Sequence, residues 1–243
     1  GYAAALAARP DDPVIAVRAY RQALATGDLP LARRAGRVLA AAKVAPADLP
    51  LLHYADALAA GDTAARAIAL AALADGPLDF AVPVLRGWEA LDGRGDPAAA
   101  LMVPAGSDAF VRRYAAENRA LLLIASGRTE QGLVALQPLL TTGLEGLDLR
   151  LNAATLLARQ QPAAARALLD GENSAFARLR ERLGRGREGD ARFGVSRFFV
   201  RLAVEVTAQD TAPLAIALAR AALVLDPAYG RARIALADAL SRD

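Results

Sequence analysis

An all-α solenoid of about six stacked antiparallel helix pairs is the fold class that three observations predict for this chain. A Gly-Asp dipeptide recurs at Gly27-Asp28, Gly61-Asp62 and Gly95-Asp96, each 34 residues after the last. The phase continues at Gly127-Arg128, two residues early, and at Gln161-Pro162. Between these points lie stretches dominated by Ala and Leu, both strong helix formers. Val and Ile never alternate with period two, so no strand is expected. The chain is 55% hydrophobic over 243 residues, enough for a core that grows by stacking.

In order, the turns place helix pairs at 13–26 with 29–42, 47–60 with 63–74, 79–92 with 97–103, 108–126 with 129–141, and 145–160 with 162–169. Gly at each reversal fits a backbone that needs positive φ. Asp28, Asp62 and Asp96 follow as N-caps, each offering a carboxylate to the bare amides of a new helix. Pro30 and Pro97 suit a first helical turn. The phase breaks once. An insertion at 171–190 carries a short helix bearing Phe176, Leu179 and Leu183, capped by Ser174, and then an exposed Gly-rich loop, Gly184–Asp190. A long helix follows at 192–209, then a turn near 210 and a helix ended by Asp226-Pro227. All 243 residues are read as one helical-repeat domain with turns near 27, 61, 95, 127, 161 and 210.

With the turn Gly set at position 15, the last repeat places Phe199, Leu202, Ala203, Val206, Ala215, Ala219, Ala222 and Pro227 at positions 4, 7, 8, 11, 20, 24, 27 and 32. This pattern of bulky residues, small residues and a closing Pro resembles the tetratricopeptide repeat, in a divergent bacterial form. Only Ala219 departs from it, where the family prefers an aromatic. Position 20, a small residue in the family, reads Ala32, Arg66, Ala100 and Gly132 along the earlier repeats, so Arg66 also departs. Tyr2, Ala5 and Pro10 fit the end of a preceding repeat, and Leu236, Ala237 and Leu240 the start of a following one. A segment of a longer array, or a pair of capping helices, is the expectation at the two ends.

The resemblance implies a right-handed superhelix and a non-catalytic scaffold for protein–protein interaction. Its concave groove, lined by the first helix of each pair, would take a peptide or protein partner. Carried onto this sequence, the groove residues are Val17, Arg21, Leu51, Leu85, Glu89, Tyr114, Glu117, Leu121, Leu151, Arg197, Val200 and Arg231, with Thr155 and Ala158 in the same series. The alternative is a structural or oligomerisation module of a larger repeat protein, self-associating through its open ends or filling its groove with its own chain. Family members that clamp a C-terminal carboxylate pair Lys and Asn on successive first helices. Lys43, Asn118 and Asn152 fall off those positions, so no such clamp is expected.

Other chemistries find little support. There is no Cys, which removes thiol nucleophiles, disulfides and thiolate metal sites and fits either redox compartment. The single His, His53, falls at a helix-packing position and is read as packed rather than as a ligand. No metal, cofactor or catalytic residue is expected. Glu89 and Glu117 lie on different repeats without convergent polar groups, so they make no hydrolytic pair. Trp88 is expected in the core.

The net charge of +3 is small beside 29 basic and 26 acidic residues. The Arg run through 178–187 is broken by Glu181 and Glu188 and lacks interleaved aromatics, so nucleic acid is not an expected partner. Nearly every basic residue is Arg, as in a high-GC bacterial genome. No transmembrane segment is visible. The first residue is Gly, compatible with a processed periplasmic protein or a trimmed cytoplasmic one.

Overall fold

The structure is a computed structural model that describes residues 1–93, 95–140, 144–170, 174–209 and 211–243. The turn expected near 210, the start of the insertion at 171–173 and the side-chain cap expected of Ser174 lie outside the described residues. Every regular element among those described is a helix. In chain order these are α1 (Tyr2–Ala8), α2 (Pro13–Thr26), α3 (Leu29–Ala41), α4 (Leu49–Ala60) and α5 (Thr63–Ala74). Then come α6 (Val82–Asp92), α7 (Pro97–Ala100), α8 (Ala109–Ala125), α9 (Thr129–Leu136), α10 (Leu144–Leu157) and α11 (Pro162–Ala167). The last four are α12 (Ser174–Arg182), α13 (Ala191–Thr207), α14 (Ala212–Leu225) and α15 (Gly230–Ser241). The helix pairs stand where the 34-residue phase puts them. The third is the least regular, since its second helix is a single turn that stops at Leu101.

Local chemistry explains the boundaries. Asp28 Oδ1 accepts from Leu31 N at 3.0 Å, Asp62 Oδ1 from Ala65 N at 2.9 Å and Asp96 Oδ1 from Ala98 N at 3.0 Å. Asp12 and Asp108 cap α2 and α8 in the same way. Each such cap stabilises its helix by about 1 kcal/mol. Gly27 closes α2 in the left-handed region at φ 84°, a conformation that costs glycine nothing. At the fourth turn Arg replaces the capping Asp. Arg128 instead reaches back to the preceding turn, with Nη1 donating to Asp96 Oδ2 at 3.1 Å and Nη2 to Oδ1. That bond, more than the two amide bonds of the cap, holds the Asp96 carboxyl below its ordinary range.

The chain forms two compact units. One comprises Gly1–Asp79 with Ser196–Asp243, and the other Phe80–Val195. Helix α13 contributes its residues through Val195 to the second unit and those from Ser196 to the first.

In the unit of residues 80–195, α6 packs on α8 and α8 on α10, and each also packs on the helix that follows it. Three hairpins are thus stacked through their first helices. Small residues sit where helices meet. A Cβ on Gly132 would stand 2.6 Å from Ile124 Cγ1 and 3.0 Å from the Ala120 carbonyl, so any side chain there would force α8 and α9 apart. Trp88 is fully buried, and its indole N–H donates to Asn118 Oδ1 at 2.9 Å. Asn118 in turn donates to the Tyr114 carbonyl at 2.9 Å, so the buried amide is satisfied.

In the other unit, α2 pairs with α3, α4 with α5 and α14 with α15, and α1 packs on α2. A strictly sequential stack would give α14 only the neighbours that adjoin it in the chain. Instead α14 packs along α4 and also touches α2. Its composition suits that place. Ala215, Ile216, Ala217, Leu218, Ala219, Ala221 and Ala222 are all buried, which covers every face of a helix. The Ala219 that departs from the family pattern is one of them, fully buried. Arg220 fixes the junction with α2. Its Nε donates to the Leu24 carbonyl and its Nη2 to the Ala25 carbonyl, both at 2.7 Å, at the C-terminal end of α2. Those carbonyls have no partner within their own helix, and a cation there also meets the negative end of the helix dipole.

Candidate functional site

The residues assigned to a groove are largely covered by the chain itself. Within residues 1–79 and 196–243, Leu51 is 1% exposed, on the helix α4 along which α14 packs. Arg21 is half-buried and bidentate to Asp48, with Nη2 to Oδ1 at 2.7 Å and Nη1 to Oδ2 at 3.0 Å. The Tyr20 hydroxyl donates to the same carboxylate at 2.9 Å. Burial, and next the Asp48 charge, push the Tyr20 hydroxyl far above its usual range. Arg197 is buried with Asp226, Nη1 to Oδ2 at 2.6 Å, and its guanidinium lies 4.1 Å from the centre of the Tyr229 ring. Val200 is buried and Arg231 half-buried. Val17, 42% exposed, keeps an open apolar face.

Within residues 80–195, Leu85, Tyr114 and Leu121 are buried, while Glu89, Glu117 and Leu151 are half-buried. Glu117 lies 3.8 Å from Arg113. The loop Gly184–Asp190 is mostly exposed, as expected, and its Gly186 and Gly189 rest against α10 and α8. Arg187 N donates to the Thr155 carbonyl at 3.1 Å. Gly186 takes φ 68° directly over that carbonyl, with the position of a Cβ only 2.8 Å from Ala158 Cβ. A Cβ on Gly189 would stand 2.6 Å from Ala125 Cβ. Gly186 is needed because its backbone lies on that of α10, and the groove positions Thr155 and Ala158 meet the loop there.

The open surface lies elsewhere, on α3, α4 and α5. A cleft of about 750 Å³ is walled by Arg33 and Arg37 of α3, by Pro50, His53, Asp56, Ala57 and Ala60 of α4, and by Ala65, Ile68, Ala69 and Ala72 of α5. Asp62 also lines it. The alanines create it, since their short side chains leave unfilled the space that Leu would occupy on facing helices. Ile68 is 72% exposed at its edge. Arg33 is bidentate to Asp56, with Nε to Oδ2 at 2.8 Å and Nη2 to Oδ1 at 2.6 Å, and this bond raises the guanidinium's already high pKa. His53 is half-buried in the wall. Burial lowers its pKa below 6.5, Asp56 works against that shift and Arg37 adds to it.

The cleft was not among the expected sites. Its signal in the sequence is weak: the spacing of Ala65, Ile68 and Ala72 marks an apolar stripe on α5, but not that the stripe is uncovered. Among the described residues no group of three or more His, Asp and Glu could hold a metal ion, and no helix is long and apolar enough to cross a membrane. No protein-family model, curated protein or solved structure matches the chain.

Proposed function

We propose that this protein is a non-catalytic interaction scaffold, built from tetratricopeptide-like helical hairpins, that holds a peptide or protein partner. The observation that carries the proposal is the open, alanine-walled cleft on α3, α4 and α5. A concave, mainly apolar lining with a few polar groups at its edge is the character of a binding cleft. It replaces the groove of first helices as the seat, because Leu51, Leu85, Tyr114, Leu121 and Val200 are buried in the chain's own packing. Three of the charges around it are committed to structure, Arg33 to Asp56 and Asp62 to its helix cap, which favours binding over chemistry.

A photo-crosslinking amino acid placed at Ile68 in the cleft, and separately at Val17, tests the reading in native lysate. A discrete adduct from position 68 supports the cleft, and one from position 17 alone supports a scaffold with its seat on α2. The absence of any adduct from both positions refutes the scaffold.

A further inference from the structure

We infer that the cleft on α3–α5 takes a short, acidic amphipathic helix of a partner protein, two to three turns long, with a carboxylate placed against Arg37. This rests on the scaffold reading and adds the chemistry of the occupant.

Length comes first. On α4 the lining runs from Pro50 to Ala60 and on α5 from Ala65 to Ala72. At 1.5 Å per residue these are walls of about 15 Å and about 10 Å. A helix of two to three turns matches that span and presents side chains at i, i+4 and i+7 to one groove. Shape comes next. Five of the twelve lining residues are alanines, whose short methyls leave room for knobs of Leu or Met size.

Charge then selects the sign. The cleft holds Arg33, Arg37, His53, Asp56 and Asp62. Asp56 is occupied by both nitrogens of Arg33, and Asp62 accepts from Ala65 N. Burial disfavours the charged form of His53. Arg37 is exposed and makes no ion pair among the described residues. It also borders a second hollow, beside Arg34 and Pro30. The charge left for a visitor is therefore one guanidinium at the rim, and a carboxylate satisfies it with bidentate geometry.

The test uses the full chain and two fluorescein-labelled three-turn helical peptides, with Leu at i, i+4 and i+7. One carries Glu beside the Leu stripe and the other Lys at the same place. Anisotropy titrations are run on the native protein, on Arg37→Glu and on Ile68→Ser, each first checked by circular dichroism. Both changes are at exposed positions, so the variants are expected to fold.

The expected result is saturable binding of the Glu peptide to the native chain, weakened about tenfold by Arg37→Glu, with the Lys peptide preferred by that variant. Ile68→Ser weakens both peptides. Saturable binding that ignores the charge at position 37 overturns the acidic-helix inference while leaving the scaffold reading intact. No saturable binding of either peptide overturns the inference as well, and so does sedimentation showing a second copy of this chain in the cleft. The scaffold reading then stands or falls on the crosslinks.

Discussion

Replacing Arg220 by Met probes the least expected contact in the molecule, the seat of α14 on the end of α2. Met keeps an apolar stem of similar length and removes both hydrogen bonds and the charge. The two bonds end on carbonyls of unequal exposure. Leu24 is 1% exposed, so its carbonyl cannot readily turn to water once Arg220 is gone. A lost bond to a charged group in that setting costs about 1.5–3 kcal/mol. The Ala25 carbonyl belongs to a half-buried residue and recovers part of its solvation, so its loss costs about 0.5–1.5 kcal/mol. Against this runs the relief of desolvation, since burial already lowers the Arg220 pKa. The net expectation is a loss of about 2–4 kcal/mol. For a chain of this size that corresponds to a fall of roughly 5–12 °C in melting temperature. Trp88, the only Trp, lies in the other unit, so its fluorescence is the wrong reporter. Far-UV circular dichroism melts combined with hydrogen exchange on peptides spanning 20–30 and 215–225 are the suitable readouts. In an open sequential array Arg220 would stand on an outer helix and Met would cost nothing. A melting temperature within about 1 °C of native, with exchange unchanged at Gly27 and Asp28, refutes the packing of α14 on α2.

Two further outcomes are expected. His53 has a folded pKa below its ordinary 6.5, so in acid the unfolded chain binds the proton more readily. Its contribution is therefore fully present above pH 6.5 and is lost as pH falls from there toward the folded value. His53→Asn should flatten the dependence of melting temperature on pH between about 7 and 5 relative to native, and parallel curves would contradict the buried, neutral imidazole. At the first turns of α13, a Cβ on Gly194 would overlap the Trp88 ring. Gly194→Ala should cost at least about 1–3 kcal/mol in urea unfolding and shift the Trp88 emission, and an unchanged spectrum would place the ring elsewhere.

Much of the local architecture was legible in advance because its causes are local. A capping Asp acts on amides two or three residues away, and a left-handed Gly acts on its own peptide. Asp28, Asp62, Gly27 and Gly61 thus reveal their work in the sequence. The core role of Trp88 followed from its place in the repeat. The groove was harder to read. The apolar residues of successive first helices are the same whether a partner covers them or the chain does, since apolar burial carries no direction. Arg197 shows the limit clearly. At a groove position it read as a contact for a partner, and only the fold sets Asp226 2.6 Å away.

By itself, the sequence determined that this is a helical protein, where its hairpins turn, and which residues cap them. Period, propensity and capping all act within one or two helical turns. Only the tertiary structure decided that α14 crosses back onto α4 and α2, that Gly186 and Gly189 rest against α10 and α8, and that the space among the alanines of α4 and α5 stays open. Those outcomes join residues as far apart as Leu24 and Arg220. They depend on which of several apolar faces fits another with least empty volume, a property of shapes in contact that no stretch of chain holds alone.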